Sequence, residues 1–86
     1  MRTIEKKILP EYFEAILLGK KTYELRLADF VITEGDTLIL KEWNGEAYTG
    51  RMIKKTVGYV GRWKIDESFW SREDIEEHGL QIISLQ

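Results

Sequence analysis

Eighty-six residues with 43% apolar and 33% charged side chains are enough for one packed domain and too few for two. The chain has no cysteine, which excludes disulfides and thiolate metal sites and fits a reducing cytoplasm, and its short apolar runs exclude a membrane span. A formal net charge of −2 argues against a uniformly basic, duplex-binding surface.

Thr3 to Leu9 alternates as a strand anchored by Ile4 and Ile8. Pro10 suits the first position of a helix, and Tyr12, Phe13, Ile16 and Leu17 follow at helical spacing. Gly19 stands where a left-handed helix cap is needed, with Lys20 and Lys21 beside the negative helix end. Thr22 to Leu27 then alternates as a strand. Tyr23, Leu25 and Leu27 fall on one face, and Thr22, Glu24 and Arg26 on the other. Glu34-Gly35-Asp36 marks a turn, Thr37 to Trp43 the next strand, and Asn44-Gly45 a hairpin into a strand from about Glu46. A longer strand region runs from Arg51 to Val60, where Gly58 and Gly61 suggest a bulge or bend. Ser71 and Asp74 read as the capping box of a short acidic helix ending at His78-Gly79, and Leu80 to Leu85 closes the chain as a strand. The fold class expected is mainly β (α+β): a small, mostly antiparallel barrel with two short helices, spanning residues 1–86 as one domain.

Charge is distributed in blocks. Arg51, Lys54, Lys55, Arg62 and Lys64 lie in residues 51–64 without an acid, while Asp66, Glu67, Glu73, Asp74, Glu76 and Glu77 follow in 65–78 against Arg72 alone. The basic segment is a candidate contact for a nucleic-acid backbone, and Trp63, between Arg62 and Lys64, has the composition of a base-stacking platform. The acidic segment from Ser71 to Glu77 is a candidate protein-interaction helix.

The richest cluster is Gly19-Lys20-Lys21-Thr22-Tyr23-Glu24-Leu25-Arg26. Lys21 sits at a helix-to-strand corner, and Glu24 and Arg26 are about 6.6 Å apart on one strand face. Such a group can bind an anion, read a base edge or move a proton. His78 lacks a second histidine or cysteine and reads as a helix cap, and Ser71 lacks a base. No metal-ligand spacing and no glycine-rich phosphate loop is present, so neither metal nor cofactor is expected.

The pattern Gly19-x-Lys21-x-x-Glu24-x-Arg26 resembles the ASCH domain (activating signal cointegrator homology) of the PUA-like superfamily, in its small bacterial and phage branch. Lys7-Ile8-Leu9-Pro10-Glu11-Tyr12-Phe13, Gly35-Asp36-Thr37-Leu38, Glu42-Trp43, Tyr48-Thr49-Gly50-Arg51 and Val57-Gly58-Tyr59-Val60 carry the same resemblance over residues 4–60. It implies a PUA-like β-barrel with a cleft beside the first helix that binds RNA or a nucleotide-like ligand. Ligand contacts would come from Lys21, Thr22, Glu24, Arg26, Trp43 and Tyr59. Lys21 would meet a phosphate or base carbonyl, Glu24 an exocyclic amine, and Arg26 either Glu24 or a phosphate. Some relatives resemble amidohydrolases of acylated cytidine that use a lysine, a threonine and a distal glutamate. Lys21 falls on that lysine, but Glu24 occupies the threonine position, Thr22 is two residues out of register, and Glu73 or Asp74 would have to supply the distal acid. The expectation is therefore a binding module, with catalysis by Lys21 and Glu24 as the alternative.

Overall fold

The computed structural model describes residues 1–63 and 79–86. Among them the chain forms β1 (Thr3–Ile8), α1 (Pro10–Leu17), β2 (Tyr23–Leu27), β3 (Thr37–Trp43), β4 (Tyr48–Trp63) and β5 (Leu80–Leu85). The expected acidic helix from Ser71 to His78, together with Lys64, lies outside the described residues. So do Glu73 and Asp74.

Local chemistry accounts for most boundaries. Leu9, ahead of Pro10, is held extended at φ −71° and ψ 152°, and Pro10 opens α1 with Glu11 in its first turn. Asn44 organises the turn between β3 and β4: its side-chain oxygen accepts from the Glu46 and Ala47 N–H groups, and its own N–H donates to the Ala47 carbonyl. β4 therefore starts at Tyr48, paired with Trp43. It continues unbroken to Trp63, so the two strands expected from about Glu46 and from Arg51 are a single long one. Its register against β5 shifts between Val57 and Val60. A Cβ at Gly58 would come within 2.9 Å of Gln86 Nε2 and 3.3 Å of Ser84 Cβ, so any side chain there would push the Gln86 amide aside and crowd Ser84.

The strand order is β1-β3-β4-β5-β2, parallel between β1 and β3 and antiparallel at every other junction. The mainly β, mostly antiparallel fold is thus present. Closure into a barrel is not seen among the described residues: β1 and β2 remain edge strands with no ladder between them. The long β4 is shared, pairing with β3 along its first half and with β5 along its second.

One core packs between α1 and the sheet. Phe13 and Ile16 of α1 meet Ile8, Leu38, Leu40, Val57, Ile83 and Leu85 from the strands and Ile32 from a loop. Three carboxylates are buried at its margins, Glu24, Asp36 and Glu42, of which the last two are bound as follows. Asp36 accepts from the Arg2 and Thr33 N–H groups at 2.9 Å each, and from the Thr33 hydroxyl. Glu42 receives Arg51 through two nitrogens, at 3.0 and 2.7 Å, and the Thr49 hydroxyl at 2.6 Å. Arg51 continues to Glu14 of α1 at 2.6 Å and stacks on Phe13, so this network ties the β3–β4 hairpin to the helix.

These bonds favour the ionised carboxyls. The Arg2 and Thr33 backbone N–H groups lower the Asp36 pKa, and Arg51, then Thr49, lower that of Glu42. As the pH falls, the unfolded chain takes up protons first, near the ordinary values of 3.8 and 4.5. The stability carried by both groups is complete above those values and is lost as pH drops through the lower folded ones. Urea midpoints should therefore fall in acid, and less steeply in the Asp36→Asn/Glu42→Gln double variant. An unaltered acid slope would remove these two groups as its source.

Candidate functional site

The end of α1 fixes where the motif begins. The Gly19 N–H donates to the Ile16 carbonyl at 3.0 Å and the Lys20 N–H to the Ala15 carbonyl at 2.9 Å. Gly19 itself has φ +75°. This is a Schellman cap, which glycine permits because a side chain is strained at that φ. The Lys21 N–H also bonds the Ala15 carbonyl, at 3.0 Å. The chain is thereby turned sharply from helix into β2, with Lys21 at the corner.

β2 then presents its polar alternation inward. Tyr23 is exposed while Glu24, opposite Ile83 of the core, is only 3% exposed. Burying a lone carboxylate would be prohibitive. Glu24 is satisfied on both oxygens: Lys21 Nζ donates to Oε1 at 2.5 Å and Arg26 Nε to Oε2 at 2.9 Å. Arg26 Nη2 also donates to the Lys7 carbonyl at 2.7 Å, linking β2 to β1 across the gap between the two sheet edges.

That gap is a cavity of about 500 Å³, within the usual range for small-ligand sites. Lys21, Glu24 and Arg26 form one wall, Lys6, Lys7, Ile8 and Leu9 the facing one, and Tyr12, Tyr23 and Phe30 contribute rings. Three cationic side chains (Lys6, Lys21 and Arg26) face two carboxylates, Glu24 and Asp29, while Lys7 contributes its backbone carbonyl. Lys21 Nζ lies 5.4 Å from the Tyr12 ring centre and 5.1 Å from that of Tyr23, and Lys6 Nζ lies 3.9 Å from that of Phe30. With both Glu24 oxygens engaged, the site is rich in donors. Chemically it suits phosphate, carboxylate or carbonyl oxygens beside a planar ring.

The other expected contacts are dispersed. Thr22 is exposed, and its carbonyl accepts the Leu85 N–H at 2.9 Å, outside the cavity wall. Trp43 lies on the opposite face of the sheet, beneath Lys7. Tyr59 is 71% exposed and does not line the cavity. Strand alternation divides the basic segment: Lys54 is exposed, whereas Lys55 pairs with Leu38 of the core-facing set. Arg51 is held by Glu42 and Glu14, whose carboxylates raise its pKa further above the ordinary value. Arg62 donates to the Ile32 carbonyl at 2.7 Å. Trp63 ends β4.

Lys6, Lys7, Tyr12, Asp29 and Phe30 are cavity residues that the sequence pattern did not mark as ligand contacts. The adjacent Lys6-Lys7 pair preceding Pro10 was the available signal for two of them. Among the described residues, no group of three or more His, Cys, Asp or Glu side chains is placed to hold a metal, and no helix is long and apolar enough to cross a membrane.

Three comparisons bear on the chain. It is 42% identical over 76 residues to the "Uncharacterized 12.9 kDa protein in GpA 3'region" of Escherichia phage P2, an alignment covering 88% of this chain and 66% of that protein. The solved structure of hypothetical protein PH0355 has the same fold, with a TM-score of 0.76 at 21% identity over 100% of this chain and 98% of that one. The model of the domain of unknown function DUF3850 matches residues 3–70. The chain therefore belongs to the DUF3850 family.

Proposed function

We propose that the chain is a non-catalytic RNA- or nucleotide-binding module that takes its ligand in the cavity between β1 and β2. One observation carries this reading: buried Glu24 holds Lys21 and Arg26 together in one cavity wall. Glu24 acts as the positioning group, and the remaining N–H donors of the two cations serve phosphate or base-carbonyl oxygens. Tyr12 and Tyr23 offer rings for a base. The resemblance of Gly19-x-Lys21-x-x-Glu24-x-Arg26 to the ASCH motif supports the same ligand class.

Arg26→Ala should weaken binding of single-stranded RNA or a nucleoside monophosphate by about 1–3 kcal/mol. Fluorescence anisotropy at low salt measures the RNA, and calorimetry the mononucleotide. No detectable binding of either by the wild-type chain ends the proposal.

The placement of Lys21 Nζ against Glu24 in one cavity wall also supports a second reading, a small amidohydrolase acting on an acylated nucleoside. The pair would then activate water for attack on the amide. Incubation with acylated cytidine followed by chromatography decides it, because that mechanism requires deacylated product from the wild-type chain.

A further inference from the structure

The sheet has a second face with its own chemistry. Leu38, Leu40 and Glu42 of β3 turn inward, which places Ile39, Lys41 and Trp43 outward. The register sets Lys7 beside Lys41, Lys41 beside Met52, Ile39 beside Lys54, and Trp43 beside Tyr48. Two of these rings carry ammonium groups: Lys7 Nζ is 4.3 Å from the Trp43 ring centre, and Lys41 Nζ is 4.9 Å from that of Tyr48. Tyr48 and Met52 are each more than half exposed. Against three lysines, the described part of this face holds one strand carboxylate, Glu5, 3.3 Å from Lys41.

We propose that this outer face of β1, β3 and β4 is a platform for single-stranded RNA, continuous with the cleft through Lys7. The proposal goes beyond the cleft, which accommodates one nucleotide-sized group. Lys7 joins the two surfaces. Its carbonyl is held by Arg26 inside the gap, while its ammonium stands over Trp43 outside it. Aromatic rings interleaved with lysines across adjacent strands suit an unpaired strand, whose bases stack on the rings while its phosphates meet the ammonium groups. A duplex keeps its bases stacked within itself and offers nothing to Trp43 or Tyr48. The occupant is therefore single-stranded.

The test compares an RNA strand of about twelve nucleotides, its duplex and a nucleoside monophosphate, using wild type, Lys41→Gln/Lys54→Gln and Tyr48→Ala. The altered side chains lie outside the cleft wall and the buried core, and thermal unfolding checks that the variants are folded. For the strand, the double lysine variant should bind about tenfold more weakly, with a salt slope smaller by about 1.4, as expected for two lost phosphate contacts. Tyr48→Ala should cost the strand about tenfold through one lost stacked base. Mononucleotide binding should not change in either variant. Strand affinity and salt slope unchanged by these substitutions, or equal affinity for the duplex, would overturn the platform. If wild type binds the strand with these sensitivities but not the mononucleotide, the platform stands and the cleft reading falls.

Discussion

Phe13→Ala is expected to cost about 3–5 kcal/mol, the usual range for deleting a buried aromatic ring. At ~0.05–0.15 kcal/mol per residue, a domain of this size holds about 4–13 kcal/mol in total, so this one change removes a large share. The reason lies in how α1 is attached. Phe13 and Ile16 are its buried residues, and Tyr12, Leu17 and Leu18 are exposed. The Phe13 ring also supports the Arg51 guanidinium, 4.5 Å away, which binds Glu42 and Glu14. Losing the ring loosens both the apolar and the ionic attachment of the helix. Because α1 supplies Tyr12 and leads into Lys21, cleft binding should fall together with the urea midpoint. Phe13→Leu should restore most of both. A loss below about 1 kcal/mol in the alanine variant would show that α1 is held by something else.

Glu24→Ala is expected to destabilise by about 2–4 kcal/mol, because it leaves two cations facing each other without their shared carboxylate. The figure sits toward the low end for a broken buried pair, since Lys21 and Arg26 are 17% and 25% exposed and can turn toward water. Combining Glu24→Leu with Lys21→Met and Arg26→Met should recover stability, because apolar side chains of similar volume replace a buried ion group at little or no cost. That triple variant should bind no RNA or nucleotide. Recovered stability with lost binding would assign the triad to the ligand; recovered binding would remove it from the site. Urea denaturation and anisotropy on wild type, Glu24→Ala and the triple variant separate these outcomes.

The legible parts of this molecule are those decided by near neighbours. Pro10 and Gly19 set the ends of α1 through backbone geometry, and Asn44-Gly45 sets the hairpin through bonds within four residues. The grouping of Lys21, Glu24 and Arg26 could also be read, because helix end and strand alternation are local. What could not be read is which face of β2 is buried. Alternation separates Tyr23 from Glu24, but ordinary polarity would bury the tyrosine. Glu24 goes inward because Lys21 and Arg26 neutralise it. Glu42 is the same case, its partner Arg51 arriving from the next strand. The strand expected from Arg51 to Val60 already divides neighbours Lys54 and Lys55 between opposite faces. Which of them faces outward is set by their pairing with Ile39 and Leu38 of β3, and that was hidden. Lys6 and Lys7 gained their place in the cleft only because β1 and β2 end up as facing edges.

The strand order also sets a sequence of events. Tyr23 pairs with Ser84 and Leu27 with Leu80, so β2 finds its ladder partner at the far end of the chain. β1, β3 and the first half of β4 join through pairings shorter in sequence than that one. The strand that carries Glu24 and Arg26 has no ladder until β5 has joined the sheet. The outer face of β1, β3 and β4 can thus form before the wall of the gap does, and refolding followed by hydrogen exchange should protect β3 before β2.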